Sequence, residues 1–401
     1  MKKSILKVSL CILLAVGICL SATGCYIRTN YTMPTQSSTA PTEAQDEAYK
    51  QKLDEIIALL DQYYVDDYST EKLGDYLAEA ALASTGDKWS YYISAEEYDA
   101  YQEGNANAYV GIGVTIQLTN EDDEGFTIVS ISHNSPAEAA GLQIGDMIVG
   151  VEGENAVEMG MTGAQQRVRG EAGTDVTITI LRDGETFDVT ITRQVIEVEI
   201  VVYDLLDNKI GYIKINNFDT HSSRDTIAAI EDLISQGAES LVFDLRFNPG
   251  GMKHELVALL DYLLPEGPLF RSVDYKGKEE VDYSDANCLD MPMAVLINDD
   301  SYSAAEFFAA ALQEYEAGVI VGTKTCGKAN YQQTFRLSDG SAIAISTGHY
   351  QTPNGVTLAD VGVTPDVIVE VDEETYLALY YEKVAYEDDA QLQAAIEALG
   401  K

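Results

Sequence analysis

A serine and a lysine can together hydrolyse a peptide bond without histidine, and this chain offers such a pair. Ser303 lies in Asn298-Asp299-Asp300-Ser301-Tyr302-Ser303-Ala304-Ala305-Glu306, at the head of an Ala-rich, apolar helix candidate. Lys328 closes Thr323-Lys324-Thr325-Cys326-Gly327-Lys328, just after the apolar run 318–322. A hydroxyl is a weak nucleophile until a base removes its proton. Lysine can be that base only as the neutral amine, and apolar burial favours the neutral form. Moving its pKa from about 10.4 to about 7–8 amounts to roughly 3–5 kcal/mol, which an enclosed site supplies and an exposed loop does not. Taken singly, Ser303 reads as a helix N-cap and Lys328 as a solvated loop lysine. The strings Ser4-Ile5-Leu6-Lys7 and Ser69-Thr70-Glu71-Lys72 show how cheap a Ser-x-x-Lys spacing is; neither has a context suited to chemistry. No Gly-x-Ser-x-Gly string occurs, and the 4 histidines fall in no triad segment. His254 follows a Gly-Gly pair and reads as a surface residue.

The pair needs a scaffold, and the pattern predicts a multidomain α/β (α+β) chain. Apolar residues recur at helical spacing over Leu53, Ile56, Ile57, Leu60 and Tyr64 and over Leu73, Leu77, Ala80 and Ala81, so 46–104 is expected to be helical. A strand-rich unit follows over 105–195, with alternation at Ile112-Val114-Ile116, a Pro-initiated helix from Ser135 and a hairpin turning at Asp183-Gly184. Over 196–372 strands and helices alternate: strands at 210–215, 240–245, 293–297 and 319–321, helices at 225–235, 255–264 and 303–316. That alternation predicts a sheet with helices packed on it. Residues 373–401 read as an acidic helical tail.

Two resemblances add to this reading. Tyr109-Val110-Gly111-Ile112-Gly113-Val114, together with Ser135-Pro136-Ala137-Glu138-Ala139-Ala140-Gly141-Leu142 and Gly145-Asp146-Met147-Ile148, resembles a PDZ domain. The resemblance implies that Gly111, Ile112, Gly113 and Val114 bind a peptide's terminal carboxylate. Backbone N–H groups would converge on the anion, and the next strand would pair with the peptide by edge addition. From about 46 to 370 the chain resembles the carboxyl-terminal processing peptidases, Ser/Lys proteases of the S41 type with an embedded PDZ domain. Phe243-Asp244-Leu245-Arg246-Phe247-Asn248-Pro249-Gly250-Gly251, the segments around Ser303 and Lys328, Tyr350-Gln351-Thr352-Pro353-Asn354-Gly355, Gly362-Val363-Thr364-Pro365-Asp366 and Asp87-Lys88-Trp89-Ser90-Tyr91-Tyr92 carry it in collinear order.

This resemblance implies Ser303 rather than Ser301 as nucleophile, because the family's serine precedes its lysine by about 25 positions, as 328 − 303 = 25 does here. It implies Gln332, four positions past the lysine, as third member of the site, with Gln333 adjacent. Backbone N–H groups of Ala304 and of Gly250 or Gly251 are expected to form the oxyanion hole. Arg169, with Arg167 as the alternative, stands where the family senses closure of its PDZ lid. Cys326 and Asp299-Asp300 depart from the family pattern, the first loosening the packing around Lys328 and the second adding negative charge near Ser303. These departures keep a second reading open: a catalytically degenerate, PDZ-type peptide-binding scaffold.

Composition sets the partners. Lys+Arg 25 against Asp+Glu 66 gives a net charge of −41 over 401 residues, which repels nucleic-acid phosphates. No Cys or His cluster has metal-ligand spacing, so neither metal nor other cofactor is expected, and Cys288 and Cys326 are expected to be free thiols. Lys2, Lys3 and Lys7 precede a short apolar run, 8–20, and then Ala22-Thr23-Gly24-Cys25. Residues 1–25 therefore read as a lipoprotein-type export signal with Cys25 as the lipidated residue, although Ala22 stands where that pattern prefers leucine. The Thr/Ser/Pro-rich stretch 26–45 reads as a flexible spacer. The expected protein is extracytoplasmic and tethered to a bacterial cytoplasmic membrane, with simple secretion as the alternative. It meets protein or peptide substrates by their C-terminus, and the family resemblance allows a homodimer.

Overall fold

The computed structural model describes residues 43–118 and 124–400; the expected export signal, Cys25 and most of the expected spacer lie outside them. The chain divides into two compact units between Asp87 and Lys88. The first holds two helices, Glu43–Tyr63 and Thr70–Ala83, the second capped by Ser69, whose hydroxyl accepts the Lys72 N–H. The helical reading of the region after it is modified: Tyr91–Ile93 is a short strand, followed by a helix at Tyr98–Ala106.

Within the larger unit, strand Ala108–Gly111 pairs antiparallel with Gln194–Glu197, so the segments entering and leaving the intervening domain are tied together. That domain is an antiparallel sheet in the order Val114–Gln117, Phe126–Ile131, Met147–Val151, Asp175–Arg182, Glu185–Thr192. Ile128, Ile148, Ile178, Ile180 and the helix residues Ala156 and Ala164 fill its core. Val114–Gln117 lies at the sheet edge.

The second sheet runs Val201–Leu205, Ile210–Ile215, Ser240–Asp244, Met293–Ile297, Gly318–Gly322, Val367–Ile368. The first pair is antiparallel and the rest are parallel. Parallel strands need both faces covered, and alternation does this here. Phe243, Val295, Ile297 and Ile320 face a core with the helices Ser222–Gln236, Lys253–Leu263 and Ala304–Glu314. Val242, Ala294, Leu296 and Val321 face Leu392, Ala395 and Ile396 of the helix Ala390–Ala398. The expected acidic tail is thus two helices, Glu373–Tyr380 and Ala390–Ala398, of which the second packs on the sheet. Its acidic neighbour Asp389 caps it and turns inward to the buried Arg246 (2.7 Å), which also holds Asp244.

A further antiparallel sheet, Tyr91–Ile93, Ala342–Gln351, Gly267–Asp274, Glu279–Ser284, with Asn330–Arg336 also on Ala342–Gln351, is absent from the sequence reading. Its strands mix polar and apolar residues without clean alternation, because bulges interrupt the register at Pro268/Phe270 and Tyr331/Gln332.

Candidate active site

Three consecutive parallel strands end on one edge of the sheet, and each feeds a loop that carries candidate chemistry. Ser240–Asp244 leads to Gly250 and Gly251, Met293–Ile297 to Ser303, and Gly318–Gly322 to Lys328. Crevices outside the carboxyl ends of parallel strands are where such sheets assemble sites, since neighbouring strands lie only about 4.8 Å apart.

Hydrogen bonds stitch the first two loops together. Tyr302 N–H donates to Asn248 O (2.9 Å), Phe247 N–H to Asn298 Oδ1 (3.0 Å) and Ser301 Oγ–H to Leu245 O (2.8 Å). Ser301 is fully buried (0% exposed) and occupied with this stitching, whereas Ser303 is 8% exposed at the start of the helix Ala304–Glu314. Ser303 has φ 51° and ψ −116°, a region in which a non-glycine residue stores about 1–3 kcal/mol. The positive end of the helix dipole lies at the same place.

Glu306 connects the nucleophile loop to the lysine loop. Its Oε2 accepts the N–H groups of Ser303 (2.9 Å) and Lys328 (2.8 Å); its Oε1 accepts Thr325 Oγ1–H (2.6 Å) and Gly327 N–H (2.6 Å). The side chain is 0% exposed. Burial raises its pKa, and the donors from Thr325, Gly327, Lys328 and Ser303 oppose that rise. Sequence reasoning named Ser303 and Lys328 but missed the residue that registers them. The signal was present: Glu at the third position after an N-cap serine is a capping box.

The remaining candidates are placed as follows. Gly250 has φ +89°, and a Cβ there would lie 2.8 Å from Ser303 Cβ and 2.9 Å from Ala304 N. A Cβ on Gly251 would lie 2.3 Å from the carbonyl carbon of Phe218. Only glycine allows both approaches. The Gly250 N–H is used locally, donating to Asn248 Oδ1 (2.8 Å), which removes it as an oxyanion donor in this conformation. Gly251, which follows Gly250, and Ala304, which follows Ser303, remain the expected oxyanion donors. Gln332 donates to Ser346 Oγ (3.0 Å) and Asn330 O (3.1 Å). Lys328 Nζ lies 5.0 Å from the centre of the Trp89 ring, which is edge-on to Tyr302.

The departures from the family pattern are absorbed locally. Asp300 accepts the phenols of Tyr302 (2.6 Å) and Tyr376, so much of its charge is spent on them. Burial, then the Glu306 charge, pushes the Cys326 thiol up to about 11, so it stays a thiol rather than a competing thiolate. Cys288 and Cys326 are both free. Among the described residues no group of His, Cys, Asp or Glu is arranged to hold a metal ion, and no helix is long and apolar enough to cross a membrane.

In the strand-rich domain, Ile112 O accepts Ala137 N–H and Gly113 O accepts Ser132 N–H, both at 2.9 Å. Because N–H and C=O of a trans peptide point opposite ways, the N–H groups of Gly113 and Val114 are turned away from the domain. Val114 and Ile131 therefore form a non-hydrogen-bonded pair, with Val114 N–H toward the open edge. Arg169 follows the helix Ala156–Val168; it pairs with Glu103 and lies 5.3 Å from the centre of the Tyr109 ring, while Arg167 pairs with Glu154.

One titrating carboxyl borders the site. Asp219 sits against Gly251, and burial, then the Glu255 charge, raises it to about 7. An unfolded aspartate titrates near about 3.9. The folded state holds this proton more tightly, so stability falls as pH rises from about 4 to about 7. Asp219→Asn should remove that loss, about 4 kcal/mol at pH 8, and raise the thermal midpoint relative to the parent there by roughly 5–10 °C, with a smaller difference at pH 5. A midpoint difference that does not change with pH would show that Asp219 ionises normally.

Comparison with protein-family models matches residues 209–369 to peptidase family S41 and residues 127–182 to the PDZ domain. A carboxyl-terminal-processing protease of Synechocystis sp. is 31% identical over 328 residues, covering 80% of this chain and 75% of that protein. A probable CtpA-like serine protease of Staphylococcus epidermidis is 32% identical over 330 residues, covering 81% of this chain; the chain spans 66% of that relative's length. A solved Bacteroides fragilis structure described as an S41 protease aligns over 91% of this chain and 99% of its own, with TM-score 0.50 and 18% identity, a likeness of fold.

Proposed function

The chain belongs to peptidase family S41 and carries a PDZ domain, and on that premise we propose that it is a serine endopeptidase that cuts protein chains presented by their C-terminus. The observation that carries this reading is the shared anchor: one buried carboxylate, Glu306, accepts the backbone N–H of both Ser303 and Lys328. Ser303 Oγ attacks the scissile carbonyl carbon while its proton passes to Lys328 Nζ. The oxyanion is met by the N–H groups of Gly251 and Ala304. Collapse breaks the C–N bond, and Lys328 returns the proton to the leaving amine. Water then repeats the sequence on the acyl-enzyme, which restores the serine and the neutral lysine. Gln332 uses its NH2 on Ser346 and Asn330, leaving Oε1 as the acceptor that orients the amine. No metal or cofactor enters these steps.

The PDZ domain supplies the substrate. Its outward N–H groups at Gly113 and Val114 bind the terminal carboxylate, and the edge strand Val114–Gln117 pairs with the residues before it. Arg169, held by Glu103, is the residue through which this domain reports closure. The basic start, the apolar run and Cys25 support export and tethering through a lipid.

The test is a pair of otherwise identical unfolded substrates ending in a free carboxylate or a carboxamide. The carboxamide should lower kcat/KM at least about tenfold, the loss of one charge-assisted set of hydrogen bonds. Equal cleavage of the two would reject C-terminal recognition, and cleavage of neither would reject the peptidase reading.

A further inference from the structure

The glycine loop expected to meet the oxyanion hangs on a segment outside the three site loops. Phe218 N–H donates to Gly250 O, and Phe218 O accepts Met252 N–H, both at 2.7 Å. Together they form a parallel bridge between Phe218 and Gly251. In such a bridge one residue spends both backbone groups on its partner, and the residue opposite turns its own groups away. Phe218 is the first of these and Gly251 the second. The Gly251 N–H is therefore directed away from Phe218, and it makes no hydrogen bond among the described residues. Where this donor points is set by where residues 217–220 lie.

That segment continues past the strand Ile210–Ile215, beyond the last residue paired with Val201–Leu205, so it needs another support. Asn107 supplies it. Asn107 Nδ2 donates to Asn217 Oδ1 (3.0 Å) and to Thr220 O (3.0 Å), and Asn107 Oδ1 accepts Asn217 Nδ2 (2.9 Å). The exchange is reciprocal and needs a donor and an acceptor on each side chain, which an amide provides. Asn217 Oδ1 also accepts Asp219 N–H (3.0 Å), which closes the turn, and Thr220 Oγ1–H donates to Asn105 O (2.8 Å) at its far end. Asn107 is 5% exposed and has φ 46°, a left-handed conformation that asparagine visits more readily than most residues. It ends the helix Tyr98–Ala106 there. Its carbonyl accepts Val198 N–H (2.7 Å), so it is fixed to both strands at the stem of the PDZ domain.

We propose that Asn107 and Asn217 are positioning residues for the oxyanion donor. Their amide pair holds Phe218, and through Phe218 it holds the Gly251 N–H where the tetrahedral oxygen forms. Neither side chain touches substrate in this role. Losing an oxyanion donor outright costs about 10²–10³ in kcat, and a donor that is present but displaced costs part of that. The inference rests on the endopeptidase reading for its purpose, whereas the brace on the glycine loop does not.

Two variants of the full-length protein test it. Asn107→Gly tolerates the left-handed backbone and removes the amide. Asn217→Ser keeps an acceptor for Asp219 N–H but is too short to exchange hydrogen bonds with Asn107. With reduced, carboxymethylated α-lactalbumin as substrate, each should lower kcat at least about tenfold and leave KM within about twofold, the signature of an interaction used in the transition state. The double variant should lose no more than about threefold beyond the worse single variant, because either change already breaks the pair. Amide hydrogen exchange read by mass spectrometry follows the brace itself. Residues 216–220 and 248–253 should exchange at least about tenfold faster in either variant, while strand Met293–Ile297 keeps the parent rate. An unchanged kcat, a change confined to KM, losses that multiply in the double variant, unchanged exchange at 248–253, or faster exchange throughout the sheet would each overturn the proposal. Absence of cleavage by the parent overturns the endopeptidase reading instead, and exchange then decides whether the amide pair holds the glycine loop.

Discussion

Ser303→Ala is expected to lower cleavage of an unfolded protein by roughly 10⁴–10⁶-fold, the range seen when an activated serine is removed and only binding and oxyanion contacts remain. Lys328→Ala is expected to fall in the same range, because the two side chains act as one unit and losing either leaves the other without a task. Lys328→Arg should be as inactive as Lys328→Ala, since guanidinium keeps its proton at any working pH. Labelling separates chemistry from folding. A serine-directed acylating probe should modify the parent at Ser303 and leave both lysine variants unlabelled, while all of them keep the parent's thermal midpoint within a few degrees. Turnover by Ser303→Ala, or labelling that does not need Lys328, would rule out the proposed mechanism. Binding of C-terminal peptides without any labelling of the parent would instead favour the scaffold reading.

Glu306→Ala is expected to damage stability and activity together. The carboxylate is fully buried and accepts four donors, from Ser303, Lys328, Gly327 and Thr325. Alanine would leave those donors buried without partners at about 1–3 kcal/mol each before relaxation. Partial rearrangement reduces the total, so a loss of roughly 3–5 kcal/mol is expected, comparable to breaking a buried ionic contact. Glu306→Gln separates the two effects. The amide has nearly the same shape, so much of the packing survives. Its NH2 group, however, must face N–H groups at one end, and this pushes one loop out of register. Glu306→Gln should therefore fold with a smaller loss yet show kcat reduced at least about a hundredfold with little change in KM, the signature of misplaced reacting groups. Chemical denaturation and steady-state kinetics on the same preparations check both claims. A parent-like midpoint for Glu306→Ala would show that the carboxylate does not hold the two loops.

Much of the parallel sheet was legible because its strands are short apolar runs bounded by turn residues. Met293–Ile297 and Gly318–Gly322 have little alternative but to be buried. The helix after Ser303 was equally plain, as Ala304–Leu312 has a buried apolar character along its whole length. The antiparallel sheet was not legible. Tyr331, Gln332, Thr347 and Gly348 belong to strands whose register is broken by a bulge, so neither the two-residue nor the helical period appears in them. The C-terminal helix was read as an acidic tail because charge was weighed over 373–401 as a whole. The charge lies mainly before it, and Leu392, Ala395 and Ile396 are spaced to pack on the sheet.

The sequence alone determined the residue types available for chemistry and the order in which they occur, since nucleophile, amine and glycine loop each follow a recognisable apolar strand. It could not determine which donors each backbone group would find. That Gly250 N–H goes to Asn248, that Ser301 is a stitch between loops, and that Glu306 gathers the N–H groups of Ser303 and Lys328 were decided only by tertiary structure. Local spacing governs which element forms. The pairing of groups 22 residues apart, as Lys328 and Glu306 are, depends on how neighbouring strands align, and that is a property of the assembled sheet.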